Sequence, residues 1–313
     1  MSQITLFLNR YNRPLFIVLL AVCFLPYVSP AVALFLGLAF ALTAGHPYPK
    51  FAKKTSKYLL QASVVGLGFG MNLHASLEAG KEGMIFTIVS VVSVMFIGFV
   101  LGKRLMVDRK TSYLISSGTA ICGGSAIAAV APVLKANDNE ISVSLGTIFI
   151  LNAIALFVFP PLGRLIGMSQ EQFGLWAAIA IHDTSSVVGA GAAYGEKALE
   201  VATMVKLTRA LWIIPLAFVT MWFFKQKSGK VSIPWFIFLF VLAMTANTFL
   251  PIPEVLGRGI VWVAKQGLTV TLFLIGSGLS KHVIKNVGVR PMVQGVVLWF
   301  FIAVLSLGVI LWL

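Results

Sequence analysis

Four ionisable residues, His182, Asp183, Lys206 and Arg209, lie well inside apolar stretches of this chain. A charge at the centre of a bilayer costs at least about 2.5–3.5 kcal/mol on insertion scales, so such groups compensate one another or serve a solute. Lys206 and Arg209 are three apart and share one helix face. Counted from Ala198 they sit roughly 12 and 16 Å along the axis at 1.5 Å per residue, deep for snorkelling. One carboxylate, two cations and a histidine that is neutral or singly positive leave a positive surplus, which suits an anion. The guanidinium fork also matches the oxygens of carboxylate, sulfate or phosphate. The plain alternative is a structural ion pair between Asp183 and Arg209, with Lys206 snorkelling. His182 and Asp183 are the candidates for proton coupling, because imidazole titrates near neutrality and a carboxylate can carry a proton.

Around these residues lie two segments that weaken a membrane helix: Gly118-Thr119-Ala120-Ile121-Cys122-Gly123-Gly124-Ser125-Ala126 and Ala180-Ile181-His182-Asp183-Thr184-Ser185-Ser186. Backbone and hydroxyl groups freed at membrane depth find no partner in lipid, so such breaks occur inside protein around a hydrated site. Gly123-Gly124-Ser125 would expose N–H groups at the start of a half-helix, a further anion-favouring element. Thr184, Ser185 and Ser186 have the oxygens to ligate a solute or an ion, or to bond back to helix carbonyls. Cys122 reads as a small packing residue placed within the break. The candidate substrate- or ion-binding set is Cys122, Gly123, Gly124, Ser125, His182, Asp183, Thr184, Ser185, Ser186, Lys206 and Arg209.

The elements that must position this set are apolar throughout. With 58% hydrophobic and 11% charged residues, the 313-residue chain reads as one all-α polytopic membrane domain without a soluble domain, in approximate halves 1–167 and 168–313. Apolar segments run approximately 13–28, 30–44, 56–74, 84–102, 111–134, 141–161, 172–194, 199–224, 233–250, 260–280 and 291–313. The net charge of +14 is no nucleic-acid signal. Basic residues cluster at Arg10 and Arg13, Lys50 to Lys57, Lys103 to Lys110, Lys225 to Lys230 and Lys281 to Arg290, alternating with charge-poor loops as the positive-inside rule requires. That places the N-terminus in the cytoplasm and the C-terminus in the periplasm of a bacterial inner membrane. Arg10 and Arg13 before Leu15–Leu25 mimic a signal peptide, but the chain runs on into another apolar stretch, so an uncleaved first span is expected. Trp235 and Trp299 suit interface belts. Cys23 and Cys122 form no disulfide or metal pattern.

Charge leaves one ambiguity. Eleven spans, or nine spans with segments five and seven as re-entrant hairpins, put the same clusters inside, because two omitted crossings cancel. Repetition bears on this. Segments five and six align with seven and eight at an offset of 60 without gaps, placing Ala120, Ile121, Ser125 and Glu140 on Ala180, Ile181, Ser185 and Glu200. Gly66-Leu67-Gly68-Phe69-Gly70 in segment three also resembles Ile275-Gly276-Ser277-Gly278 in segment ten. Inverted repeats, with two broken helices meeting near mid-membrane, are the expected fold. The glycines read first as sites of close helix approach, and Asn72 and Asn152 as interhelical hydrogen-bonding residues.

The Gly66-Leu67-Gly68-Phe69, Thr119-Ala120-Ile121-Cys122-Gly123-Gly124-Ser125-Ala126 and Ile181-His182-Asp183-Thr184 runs together resemble the YeiH-type family of bacterial inner-membrane proteins described as sulfate exporters, over about residues 50–300. More distantly, the glycine-rich span followed by a Gly-Gly break looks like the bile acid/arsenite carriers and the cation–proton antiporters. The resemblance implies a secondary transporter with an inverted-repeat fold. Its cargo would be a small anion, sulfate- or sulfonate-like, with proton or sodium as candidate coupling ion and a homo-oligomer as candidate assembly. Alternatives are a sodium-coupled organic-anion transporter, an anion channel, which would show a continuous polar stripe, and a structural protein, which needs no deep cations. HExxH, GxxxxGK[ST] and GxSxG are absent, so no enzyme, cofactor or metal site is expected.

Overall fold

The computed structural model describes residues 11–224, 235–278 and 287–312, with side chains for all of these except 75–85. Arg10, Lys225, Lys227, Lys230, Lys281 and Lys285 of the basic clusters lie outside the described residues. Among the described residues the regular structure is entirely helical. Five helical stretches are long and apolar enough to cross a membrane: Phe86–Arg104, Asp138–Ile166, Glu196–Phe223, Glu254–Gly278 and Val289–Trp312. Shorter apolar helices accompany them. The chain is a polytopic membrane protein, and it divides into two units.

Unit 1 comprises Met1–Ala75 and Trp235–His282. It contains α1 (Asn12–Val22), α2 (Pro30–Ala44), α3 (Pro49–Gly68), α12 (Trp235–Phe249) and α13 (Glu254–Gly278), with the start of α4 (Leu73–Arg104). Helix α13 is its axis, packed on α2 and α3. Lipid is as apolar as leucine, so helices associate by close backbone approach, and glycine marks the points of contact. A Cβ on Gly37 would overlap the Phe273 carbonyl, and one on Gly276 the Leu34 carbonyl. A Cβ built on Gly66 would lie 2.9 Å from Ala264 Cβ, and one on Gly70, just past the end of α3, 2.8 Å from Val261, so α3 and α13 run antiparallel, as the repeat reading expects of segments three and ten. At one end Phe16 stacks among Phe40, Tyr48, His46 and Phe273. His46 Nδ1 accepts from the Tyr48 N–H (3.2 Å), so the neutral ring carries its proton on Nε2, 3.3 Å from Ser277 Oγ.

Unit 2 comprises Ser76–Pro234 and Val283–Leu313. It holds the rest of α4 together with α5 (Arg109–Ala120), α6 (Gly124–Leu134), α7 (Asp138–Ile166), α8 (Gln170–Ala180), α9 (Thr184–Tyr194), α10 (Glu196–Ala210), α11 (Ile213–Phe223) and α14 (Val289–Trp312). Local chemistry sets the boundaries. Asp108 caps α5, capping boxes Asn137/Glu140 and Ser169/Gln172 start α7 and α8, and Gly167 ends α7 in the left-handed conformation.

Segments five and seven are re-entrant hairpins. Were α5 and α6 collinear, Lys110 and Lys135 would lie roughly 35 Å apart. Instead Lys110 Nζ donates to the Lys135 carbonyl at 2.9 Å. The second hairpin closes in the same way: Tyr194 Oη donates to the Met168 carbonyl (2.6 Å), and the Lys197 N–H to Gln170 Oε1 (3.0 Å). The offset of 60 holds at the level of elements, since α6 begins at Gly124 and ends at Leu134 while α9 begins at Thr184 and ends at Tyr194. Helix α7, 29 residues and roughly 43 Å long, joins the base of one hairpin to the base of the other, so they enter from opposite sides.

Two measurements test this packing. Gly37→Ala should destabilise by about 1–3 kcal/mol through overpacking against fixed backbone, whereas Gly259→Ala, where an added Cβ meets nothing within 4 Å, should be neutral or stabilising by up to about 1 kcal/mol. Equal melting-temperature shifts in detergent would contradict the assignment. Burial lowers the pKa of His46 from its ordinary 6.5. Its contribution is therefore fully present above that value and is lost as pH falls from there towards the folded-state pKa. The fall in melting temperature between pH 7.5 and 5.5 should accordingly be shallower in His46→Asn than in the unsubstituted protein.

Candidate functional site

The two hairpin tips meet. A Cβ built on Gly123 would lie 3.2 Å from Asp183 Cβ and 3.3 Å from its backbone nitrogen. Asn152, the central residue of α7, fixes the depth: its Oδ1 accepts the His182 N–H at 2.9 Å. The expected meeting of two breaks near mid-membrane is what the structure contains. Cys122 and Gly123 form the first tip, with Gly123 at φ +63°, and Gly124 and Ser125 open α6. His182 and Asp183 form the second tip, with Thr184, Ser185 and Ser186 in the first turn of α9.

A broken helix exposes carbonyls at the end of its arriving arm and N–H groups at the start of its departing arm. Here both carbonyl ends are met by cations from α10. Arg209 Nη2 donates to the Ala120 carbonyl at 2.7 Å, while its Nη1 reaches Ser90 Oγ at 3.1 Å. Lys206 Nζ donates to the carbonyls of Ile181 (2.6 Å) and Ala178 (3.2 Å). Both side chains are fully buried. Trp299 of α14 adds a bond from Nε1 to the Ala180 carbonyl at 3.1 Å, so its indole works inside the protein rather than in an interface belt. Trp235, by contrast, is exposed.

The N–H ends differ. Asp183 caps α9: its Oδ1 accepts from the Ser186 N–H (2.7 Å) and Ser185 Oγ (2.5 Å), and its Oδ2 from Ser186 Oγ (3.0 Å). Gly123, at the equivalent place, offers α6 no side-chain cap. Ser125 is exposed there and Gly124 partly so, whereas Ser185 and Ser186 are buried. No ion pair joins Asp183 to Arg209; among the described residues the ion pairs are Lys197–Glu200 and Arg258–Glu254. The carboxylate is instead stabilised by hydroxyls and backbone. Around the tips, His182 Nδ1 and Nε2, Asn152 Nδ2, Thr119 Oγ1 and Arg209 Nε are buried without a hydrogen-bond partner among the described residues.

All eleven candidate residues thus belong to the tips or to the helix that braces them. Sequence reasoning missed Ser90 altogether, named Thr119 only as part of the first break and not in the candidate set, and assigned Trp299 to an interface. Only the depth of Trp299 beside a carbonyl end reveals its part, and sequence does not carry that.

The chain matches the family described as Conserved hypothetical protein 698 over residues 16–308. It is 64% identical over 287 residues to a UPF0324 membrane protein of Bacteroides thetaiotaomicron, covering 91% of this chain and 87% of that one. It is 55% identical over 293 residues to one of Porphyromonas gingivalis (92% and 88%), and 48% identical over 295 residues to one of Bdellovibrio bacteriovorus (92% and 91%). No solved structure matches.

Stability measurements distinguish caps from pairs. Arg209→Gln and Lys206→Met should each lower unfolding free energy by about 2–4 kcal/mol, because buried carbonyls lose charged donors. Asp183→Asn should cost less than about 1 kcal/mol, since asparagine also caps a helix. The double change Asp183→Asn with Arg209→Gln should be additive. Rescue of the single Arg209 variant by Asp183→Asn would mean that the two are an ion pair after all.

Proposed function

We propose that this chain, which belongs to the Conserved hypothetical protein 698 family, the UPF0324 membrane proteins, is a secondary transporter of a small anion. The observation that carries this reading is the unequal capping of two equivalent tips: the Asp183 carboxylate caps the N-terminus of α9, whereas Gly123 gives that of α6 no capping side chain and only the neutral Cys122 sulfur meets it, at the Ala126 N–H. Free N–H groups at a helix start bind anions. With two cations against one carboxylate at the crossing, the local field favours a negative solute further. Lys206 and Arg209 act as positioning residues, holding the carbonyl ends so that the tip keeps its shape, and contribute charge from behind. Ser125 is the exposed hydroxyl at the mouth. The cargo is a sulfate- or sulfonate-like oxyanion, the class the family resemblance implies. His182, whose ring nitrogens have no partner among the described residues, and Asp183 are the candidates to carry a coupling proton. The oxygen cluster of Asp183, Thr184, Ser185 and Ser186 supports a second reading, a sodium-coupled organic-anion transporter, because hard oxygen ligands suit that cation.

The orientation follows from charge. The base of the first hairpin carries Lys103, Arg104, Arg109 and Lys110 and faces the cytoplasm of a bacterial inner membrane, leaving the C-terminus periplasmic.

Counterflow in liposomes against sulfate, sulfite, sulfonates and dicarboxylates tests the class. Within it, Ser125→Asp should lower anion exchange at least about tenfold, because a carboxylate then occupies the anion-favouring helix start, while folding stays intact or improves. Ser125→Asn is the neutral control and should retain most exchange. Full activity of Ser125→Asp would rule the site out.

A further inference from the structure

One charged surface of unit 1 plays no part in the hairpin site. Lys50, Lys53, Lys54 and Lys57 fall at the i, i+3, i+4, i+7 positions of α3, one stripe of the helix, and all four are exposed. None of them takes part in the ion pairs found among the described residues. Nor is there an acid close in sequence, since no Asp or Glu occurs before Glu78. Exposed Phe51 and Tyr58 flank the stripe, each next to one of its lysines and seven residues apart. Arg13, exposed in the first turn of α1, adds a cation at the same end, where Phe16 of α1 packs on His46 and Tyr48.

The positive-inside rule accounts for the sign of this charge and not for its arrangement. Lys103 and Arg104 at the end of α4, and Asp138 and Glu140 at the start of α7, sit where the backbone dipole welcomes them, and where Arg109 and Lys110 open α5 the carboxylate of Asp108 caps the same helix start. In α3 the lysines occupy the first turns, where the dipole is also positive and Tyr48 supplies no side-chain cap. Helix and side chains therefore add to one uncompensated positive field. The stripe runs about 10 Å along the axis and gives way at Leu59 to the apolar part of the helix, which places it at headgroup level. Aromatic rings at that level are interfacial anchors.

We propose that the first three turns of α3 are a docking face for the phosphodiester headgroups of anionic phospholipids, with Lys50, Lys53, Lys54 and Lys57 on the phosphates and Phe51 and Tyr58 among the glycerol and upper acyl chains. The lipid neutralises a field that the protein leaves open, so it stabilises the folded chain.

Titrating the purified full-length protein in neutral detergent with phosphatidylglycerol or phosphatidylcholine, and following both melting temperature and lipid retained by native mass spectrometry, tests this. Phosphatidylglycerol should raise the melting temperature and be retained at least about tenfold more tightly than phosphatidylcholine. That preference should collapse in the Lys50→Gln, Lys53→Gln, Lys54→Gln, Lys57→Gln variant, persist when the four are changed to Arg, and persist in a Lys103→Gln, Arg104→Gln control. Should the fourfold glutamine variant not fold, Lys53→Gln with Lys57→Gln, and the loss of preference in the unsubstituted protein at molar salt, decide the matter. Equal retention of both lipids, an undiminished preference in the glutamine variants, or the same stabilisation by inorganic phosphate would each overturn the proposal.

Discussion

Broken helices at the middle of a bilayer leave carbonyls that lipid cannot satisfy, and everything in unit 2 is arranged around meeting that demand. An unsatisfied buried carbonyl costs about 1–3 kcal/mol, and the crossing has several. Arg209 and Lys206 take those of Ala120, Ala178 and Ile181, and Trp299 takes that of Ala180. A cation at a helix C-terminus gains from both the hydrogen bond and the dipole, which is why two long basic side chains can be completely buried here without a carboxylate partner. The three-residue spacing of Lys206 and Arg209 follows from this: one turn of α10 carries donors to the two arriving arms, which end against each other.

This changes the meaning of the charge surplus. Read from sequence, Lys206 and Arg209 looked available to a solute or to Asp183. In the fold Lys206 is committed to two carbonyls and Arg209 to one carbonyl and the Ser90 hydroxyl, and Asp183 is committed to the start of its own helix. The departing arm left without a cap is α6, so the repeat is symmetric in backbone and asymmetric in chemistry. Glycine at position 123 has two reasons to be there: its positive φ, and the absence of room for more than a Cβ against Asp183. A capping side chain at this position would meet both obstacles, and the lack of an N-cap side chain on α6 is therefore built into how closely the tips approach.

Much of this was legible beforehand because composition at membrane depth is so constrained. Gly, Ser and Thr clustered at 118–125 and 182–186 marked the breaks, and the offset of 60 predicted that both would turn at equivalent residues. Whether they crossed or returned was not legible. Charge counting is blind to a pair of omitted crossings, and the bonds that close the hairpins, Lys110 to the Lys135 carbonyl and Tyr194 to the Met168 carbonyl, join residues 25 and 26 apart with no sequence signature. The roles of Trp299 and Ser90 were hidden for a similar reason. Each lies far along the chain from the carbonyl or guanidinium it serves, and an apolar helix with one polar residue looks the same whether that residue faces lipid, headgroup or a broken helix end.

The two units share glycine packing and differ in what they add to it. In unit 1 the interhelical surfaces are glycine against backbone, as at Gly37 and Gly276, where close approach maximises dispersion and needs no polar group. Unit 2 has such contacts too, as at Gly174 and Gly191 against the backbone around Ala198, and adds polar ones: besides the tip caps, Gln294 of α14 donates from Nε2 to the Gly98 carbonyl at 3.1 Å and to Ser112 Oγ at 2.8 Å. Glycine packing offers few alternatives to the arrangement it stabilises. Polar contacts, when every partner is present, are equally specific, but they also leave individual groups available for exchange, as the partnerless His182, Asn152 and Thr119 atoms illustrate. The proposed uptake and release of a charged solute by unit 2 would draw on that second kind of interior.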